Sequence, residues 1–176
     1  NKGGDSILKI KSQGPTDNFR VIVRFPLPFS IPAGCVVESA TLRLYSPSAV
    51  EGRTLEALSL SNSWVEEAVN WGNQPATSGV AATTTSGLGY REWNVTQQVA
   101  ASYAANGRYG FLIRDAAENN AGAEQQFHSR EKGETPPQLV VRFAATPAAD
   151  TSAPETTLVS GPPSVTSDTS ASFGFT

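Results

Sequence analysis

The chain of 176 residues has no methionine, one cysteine and one histidine. The lone Cys35 excludes an internal disulfide framework and any cysteine-based metal cluster. Catalytic groupings are equally scarce. His128 is followed by Ser129, but neighbours on a strand point to opposite faces and cannot act together as base and nucleophile. Glu66, Glu67 and Asp115 lack any spacing that fixes two of them as a glycosidase carboxylate pair. The sequence therefore reads as that of a non-enzyme. No apolar run approaches the roughly 20 residues that cross a bilayer, and the residues from Asn1 onward carry no secretory signal pattern. Sixteen acidic against thirteen basic residues give a formal charge of −3. With no recognisable reader motif, that balance argues against nucleic acid as a partner. The missing methionine leads us to expect a processed or excised piece of something longer.

What the chain does hold is 15 glycines and 12 prolines, many Thr and Ser, and short runs in which apolar and polar residues alternate. That combination predicts an all-β sandwich with a two-layer core. The clearest run is 38–45, where Ala40, Leu42 and Leu44 alternate with Thr41, Arg43 and Tyr45, giving a strand with one buried face. Residues 19–25 read as another single strand, with Phe19, Val21, Val23 and Phe25 on one side. Further strands are expected at 7–11, 54–60, 90–95, 109–114, 125–130 and 138–143. Pro26, Pro28 and Pro32 remove ladder donors, so 26–34 crosses between sheets. Residues 63–75 predict a helical turn and a pinned loop, with Ser63 and Glu66 at capping-box spacing. Trp64, Trp71 and Trp93 would be sugar platforms if exposed, but their positions favour core or loop anchoring. The stretch 76–89 reads as a surface excursion. One short helix is expected over 97–105, capped by Thr96 and stopped by Gly107.

At Ala144 the composition turns to Pro, Ala and Thr. We expect a first domain over 1–144, an extended linker over 145–156, and a tail over 157–176 with two strands around Gly161-Pro162-Pro163. The tail either docks on a neighbouring surface or belongs to a second domain.

The segments IPAG, ESATLRLY, SWVEEAVNWGNQPAT, WNVTQQVAASYAANGRYGFLIRDA, FHSRE and PPQLVVRF occur in an order that resembles the DNRLRE-type domain, the family that includes the family 96 carbohydrate-binding modules. The resemblance covers about 5–143. It implies a jelly-roll-like antiparallel β-sandwich with one short helix, an extracellular or cell-surface setting, and binding of polysaccharide, alginate included. An initial strand normally precedes the part resembling 3–11, so we expect upstream residues or another chain to supply it. The tail resembles the opening of a bacterial immunoglobulin-like repeat, implying a multidomain secreted or surface protein.

Outward positions on the expected strands collect Lys9, Lys11, Arg20, Arg24, Arg43, Arg114, His128, Arg130 and Arg142, which include eight of the thirteen basic residues. On one sheet they would make a cationic platform, with Tyr45 beneath a sugar ring. Arginine binds a carboxylate through two hydrogen bonds, so the natural partner is an anionic polysaccharide such as a uronate polymer. Against this, cross-strand pairs with Glu or Asp would consume the same charge, and two sheets have two outer faces. Asp115, Glu118, Asn119 and Asn120 form an oxygen-rich loop in which calcium is possible, although the EF-hand order is absent and a solvated loop is the commoner case. No other cofactor is implied. Two functions stand: a non-catalytic carbohydrate-binding module, and a structural unit of a cell-surface fibre, stalk or adhesin that exchanges strands or tails with its neighbours.

Overall fold

From Ala40 onward, every second side chain of the twelve-residue strand Cys35–Ser46 is buried: Ala40, Leu42, Leu44 and Ser46. Alternation of this kind fixes the register, because a slip of one residue would put each leucine in water at a cost of about 1.5–3 kcal/mol apiece. The structure is a computed structural model describing residues 3–14, 16–48, 50, 52–120, 122, 124–147, 151, 155–163, 167 and 169–176. Pro15, residues 148–150 and 152–154 of the expected linker, and 164–166 and 168 of the expected tail lie outside the described residues. Two compact units are present, Asn1–Thr146 and Pro147–Thr176.

The larger unit runs β1 (Ile7–Ser12), β2 (Asn18–Phe19), β3 (Val21–Val23), β4 (Cys35–Ser46), β5 (Thr54–Leu60), β6 (Thr77–Thr85), β7 (Gly89–Asn94), α1 (Thr96–Ala104), β8 (Phe111–Asp115), β9 (Glu124–His128) and β10 (Gln138–Ala145). One layer is the sheet β3-β8-β5-β6; the other holds β10-β4-β7 with β2-β1-β9 beside it. All the pairings are antiparallel. The fold is an all-β sandwich with one α-helix.

Its core forms where Val21, Val23, Leu55, Ala57, Phe111 and Ile113 of the first layer meet Ile10, Ala40, Leu42, Leu44, Trp93 and Phe127 of the second. Trp93 is fully buried, and its indole N–H donates to the Leu55 carbonyl at 3.0 Å, which satisfies the ring's polar end. The helix contributes Val99 to this core. Thr96, expected as the helix cap, is instead the first helical residue, and Val95 takes the cap position. The Thr96 hydroxyl accepts from the Ala40 N–H at 3.0 Å and donates to Asn94 Oδ1 at 2.7 Å, tying the helix to β4.

Three other expectations are corrected. The single strand at 19–25 divides at Arg20: β2 pairs with β1 and β3 with β8, and Phe19 is exposed rather than in the core. The excursion at 76–89 contains β6, held by its ladder to β5. Arg130 follows β9 in a 3-10 turn, Arg130–Lys132, started by Ser129, whose Oγ accepts from the Glu131 N–H at 3.1 Å.

A second apolar cluster lies apart from the main core. On the outer face of β3-β8-β5-β6, where β5 and β8 stay in unbroken register with Leu58 opposite Leu112, Leu58, Leu60 and Leu112 gather with Ile22 and Tyr109. The loop between β5 and β6 covers them with Trp64, whose indole N–H donates to the Tyr109 carbonyl at 2.8 Å.

In the smaller unit β11 (Leu158–Ser160) and β12 (Gly174–Phe175) form a two-stranded ladder, with Leu158 opposite Phe175. Leu158, Val159, Phe173 and Phe175 are each more than half exposed.

Candidate functional site

The ten residues singled out in the sequence do not share one face. Register places Lys9, Lys11, Arg43, Tyr45 and Arg142 on the outer side of the layer containing β1, β4 and β10, with His128 of β9 beside Tyr45. Arg114 lies on the outer side of β3-β8-β5-β6, bonded to Glu56 across the β5–β8 ladder, and Arg20 and Arg24 flank the ends of β3 on that side. Arg130 sits beyond β9.

Most of these cations are neutralised. Lys9 pairs with Glu124 at 2.9 Å, Lys11 with Asp17 at 2.7 Å, Arg20 with Glu118 at 2.5 Å, Arg43 with Glu92 at 2.7 Å and Arg114 with Glu56 at 2.9 Å. Arg130 bridges Glu66 at 3.0 Å and Glu131 at 2.6 Å. The expected cationic platform is thereby corrected to a mosaic of ion pairs. Burial by itself raises the Glu124 carboxyl, but hydrogen bonds from Lys9 and Gln126 and the charges of Lys9 and Lys11 outweigh it and hold the group below its ordinary value.

Tyr45, expected to lie under a sugar ring, is half-buried. It meets Tyr90 edge-on with centroids 5.4 Å apart and His128 at 5.1 Å. His128 is only 6% exposed, and its Nδ1 lies 2.6 Å from Thr135 Oγ1. Ser129 Oγ is engaged instead at the start of the 3-10 turn. The possible calcium ligands are engaged too. Buried Asp115 binds Arg53 Nε at 2.7 Å and accepts from the Ala117 N–H at 2.8 Å, Glu118 holds Arg20, and Asn119 Oδ1 accepts from Asn18 at 2.7 Å. Among the described residues no three His, Cys, Asp or Glu side chains are grouped as a metal site.

Among the described residues, neither Arg24 nor Arg142 has a carboxylate within 4.0 Å. Arg24 stacks on Trp64, Cζ 5.3 Å from the ring centroid. It lines an open groove of about 340 Å³ with Phe25, Pro26, Leu27 and Arg108. Arg108 also has no carboxylate within ion-pair range among the described residues; its guanidinium lies 5.3 Å from the Phe29 ring and 5.5 Å from the Tyr103 ring, and it donates to Asn106 Oδ1 at 3.0 Å. Phe29, beside Arg108, is 82% exposed. Two guanidiniums backed by aromatic rings and not engaged with acids are suited to bidentate binding of carboxylates.

Local structure brings the two arginines together. The β3–β8 ladder ends with Val23 opposite Phe111, so Arg24 and Arg108 leave neighbouring strands at the same end. Pro26, whose ring fixes φ, restricts the groove's backbone. Arg108 lies between the helix and β8, outside any alternating run, and its position directly after Gly107, the helix stop, is its one signal in the sequence.

No curated protein matches the chain. A scan of protein-family models matches carbohydrate-binding module family 96 over residues 1–143, which spans every strand of the sandwich but the last two residues of β10, and the groove with them. The chain belongs to carbohydrate-binding module family 96.

Proposed function

We propose that the protein is a non-catalytic, extracellular module that binds acidic polysaccharide of the uronate type, and that the Arg24–Arg108 groove is its site. The observation that carries this reading is the pair of arginines that, among the described residues, have no acid partner and line one groove while their neighbours on the same face are ion-paired. A polyanion gains most where it need not displace an existing carboxylate. The test is calorimetry with alginate, pectate and a neutral glucan. Binding of the acidic polymers, weakened about tenfold or more by Arg24→Ala or Arg108→Ala and unchanged by Arg43→Ala, supports the site. Retention of full affinity in the Arg24→Ala/Arg108→Ala double variant refutes it.

A second reading is a structural unit of a surface fibre or stalk. It is favoured by β6, a nine-residue edge strand without charge or proline, which is the kind of edge that recruits a further strand through main-chain hydrogen bonds. Partners would then be neighbouring subunits, through this edge or the smaller unit. Self-association in sedimentation that Val80→Lys abolishes supports this reading; a monomer at all concentrations removes it.

A further inference from the structure

We infer that Trp71 is a stacking subsite for a pyranose ring, on the same side of the sandwich as the groove; this deepens the polysaccharide reading and rests on it. Trp71 is 51% exposed, whereas Trp93 is fully buried. Leaving a ring of this size half in water forfeits much of its burial energy. The loop around it is nonetheless braced. Asn73 Oδ1 accepts from the Asn70 N–H at 2.6 Å, Asn70 Oδ1 from the Gly72 N–H at 2.9 Å, the Ala68 carbonyl from Asn73 Nδ2 at 3.1 Å, and the Trp71 carbonyl from Gln74 Nε2 at 3.0 Å. Bracing of this kind fixes the ring before any ligand arrives, so little ordering entropy is left to lose on binding.

The indole is held from one side by Arg20, whose Cζ is 4.5 Å from the ring centroid. Arg20 is itself locked by Glu118 and by Gln74 Oε1 at 3.0 Å. Polar groups suited to sugar hydroxyls thus sit beside a rigid aromatic surface. Arg20 and Arg24 are four residues apart, so their Cα atoms are separated by at most about 14 Å. A single oligosaccharide can therefore reach Trp71 and the Arg24 groove together, with one sugar on the indole and a carboxylate on the guanidiniums.

The experiment follows the three indole N–H resonances by NMR while acidic oligogalacturonates and neutral cello-oligosaccharides are added, with affinities measured for wild type, Trp71→Ala and Trp71→Tyr. The expected result is a shift of the Trp71 resonance, none at Trp93, a loss of about tenfold or more in Trp71→Ala, and recovery in Trp71→Tyr. Unchanged thermal unfolding of Trp71→Ala assigns the loss to binding. Binding of oligogalacturonate with the Trp71 resonance unmoved overturns the subsite and leaves the groove standing. A Trp71 shift with neutral sugars alone keeps the subsite and overturns the acidic reading. Binding of neither class overturns both.

Discussion

A Cβ placed on Gly110 would stand 2.1 Å from the Val23 carbonyl oxygen and 3.0 Å from Arg24 Cα, and the residue's φ is +98°. Only glycine fits both the contact and the dihedral angle. The close approach seats the end of β3 against the start of β8, where Arg24 and Arg108 emerge. Gly110→Ala is expected to lower stability by roughly 2–4 kcal/mol, read as a fall in the urea midpoint, and to weaken glycan binding through loss of the arginine pairing. Gly133, at φ +79° with nothing near its Cβ position, is the control for dihedral strain alone.

Two ion pairs of similar length should behave very differently. Asp115 is 2% exposed and holds Arg53 at 2.7 Å; Glu92 is 53% exposed and holds Arg43 at 2.7 Å. Removing Asp115 strands a largely buried guanidinium, whose Nη2 has no hydrogen-bond partner among the described residues. Asp115→Ala should cost about 3–5 kcal/mol by denaturant unfolding. Glu92→Ala should stay within about 1 kcal/mol of wild type.

Acid should act through Glu124. Its carboxyl is held below its ordinary value in the fold, burial notwithstanding, by the Lys9 and Gln126 hydrogen bonds and the two lysine charges. A depressed folded pKa contributes stability that is complete above the unfolded value, near 4.3 for glutamate, and disappears as the pH falls through the folded value. Carboxyl NMR titration should place Glu124 below free glutamate and show it rising in Lys9→Ala. Glu124→Gln should flatten that part of the acid limb.

Salt distinguishes a carboxylate site from a neutral sugar site. Affinity for alginate should fall steadily as ionic strength rises past the point where the Debye length shrinks below about 8 Å, and the Arg24→Ala/Arg108→Ala variant should show a shallower slope. Calorimetry across a salt series measures both.

The sandwich was legible where one face alone is buried, as at Ala40, Leu42 and Leu44, because the period of two is written directly in the residues. β6 was not, since TSGVAATTT buries little and owes its conformation to its ladder with β5. The break at Arg20 was hidden because Phe19 and Val21 continue the alternation of one strand while pairing in different sheets. For the site, the arginines were visible as residues but their partners were not: Arg20 meets Glu118 and Arg114 meets Glu56 across 98 and 58 positions of sequence. Only folding decides which cations stay unpaired, and Arg108 lay outside the strand pattern altogether.

The pairing of β1 with β9 sets Ile7 opposite His128 and Leu8 opposite Phe127. During synthesis from the N-terminus, β1 therefore emerges long before the strand that completes its ladder. Its apolar residues must wait for more than a hundred others, so folding is governed by distant closures and belongs to the slow, millisecond-to-second class of β-rich chains.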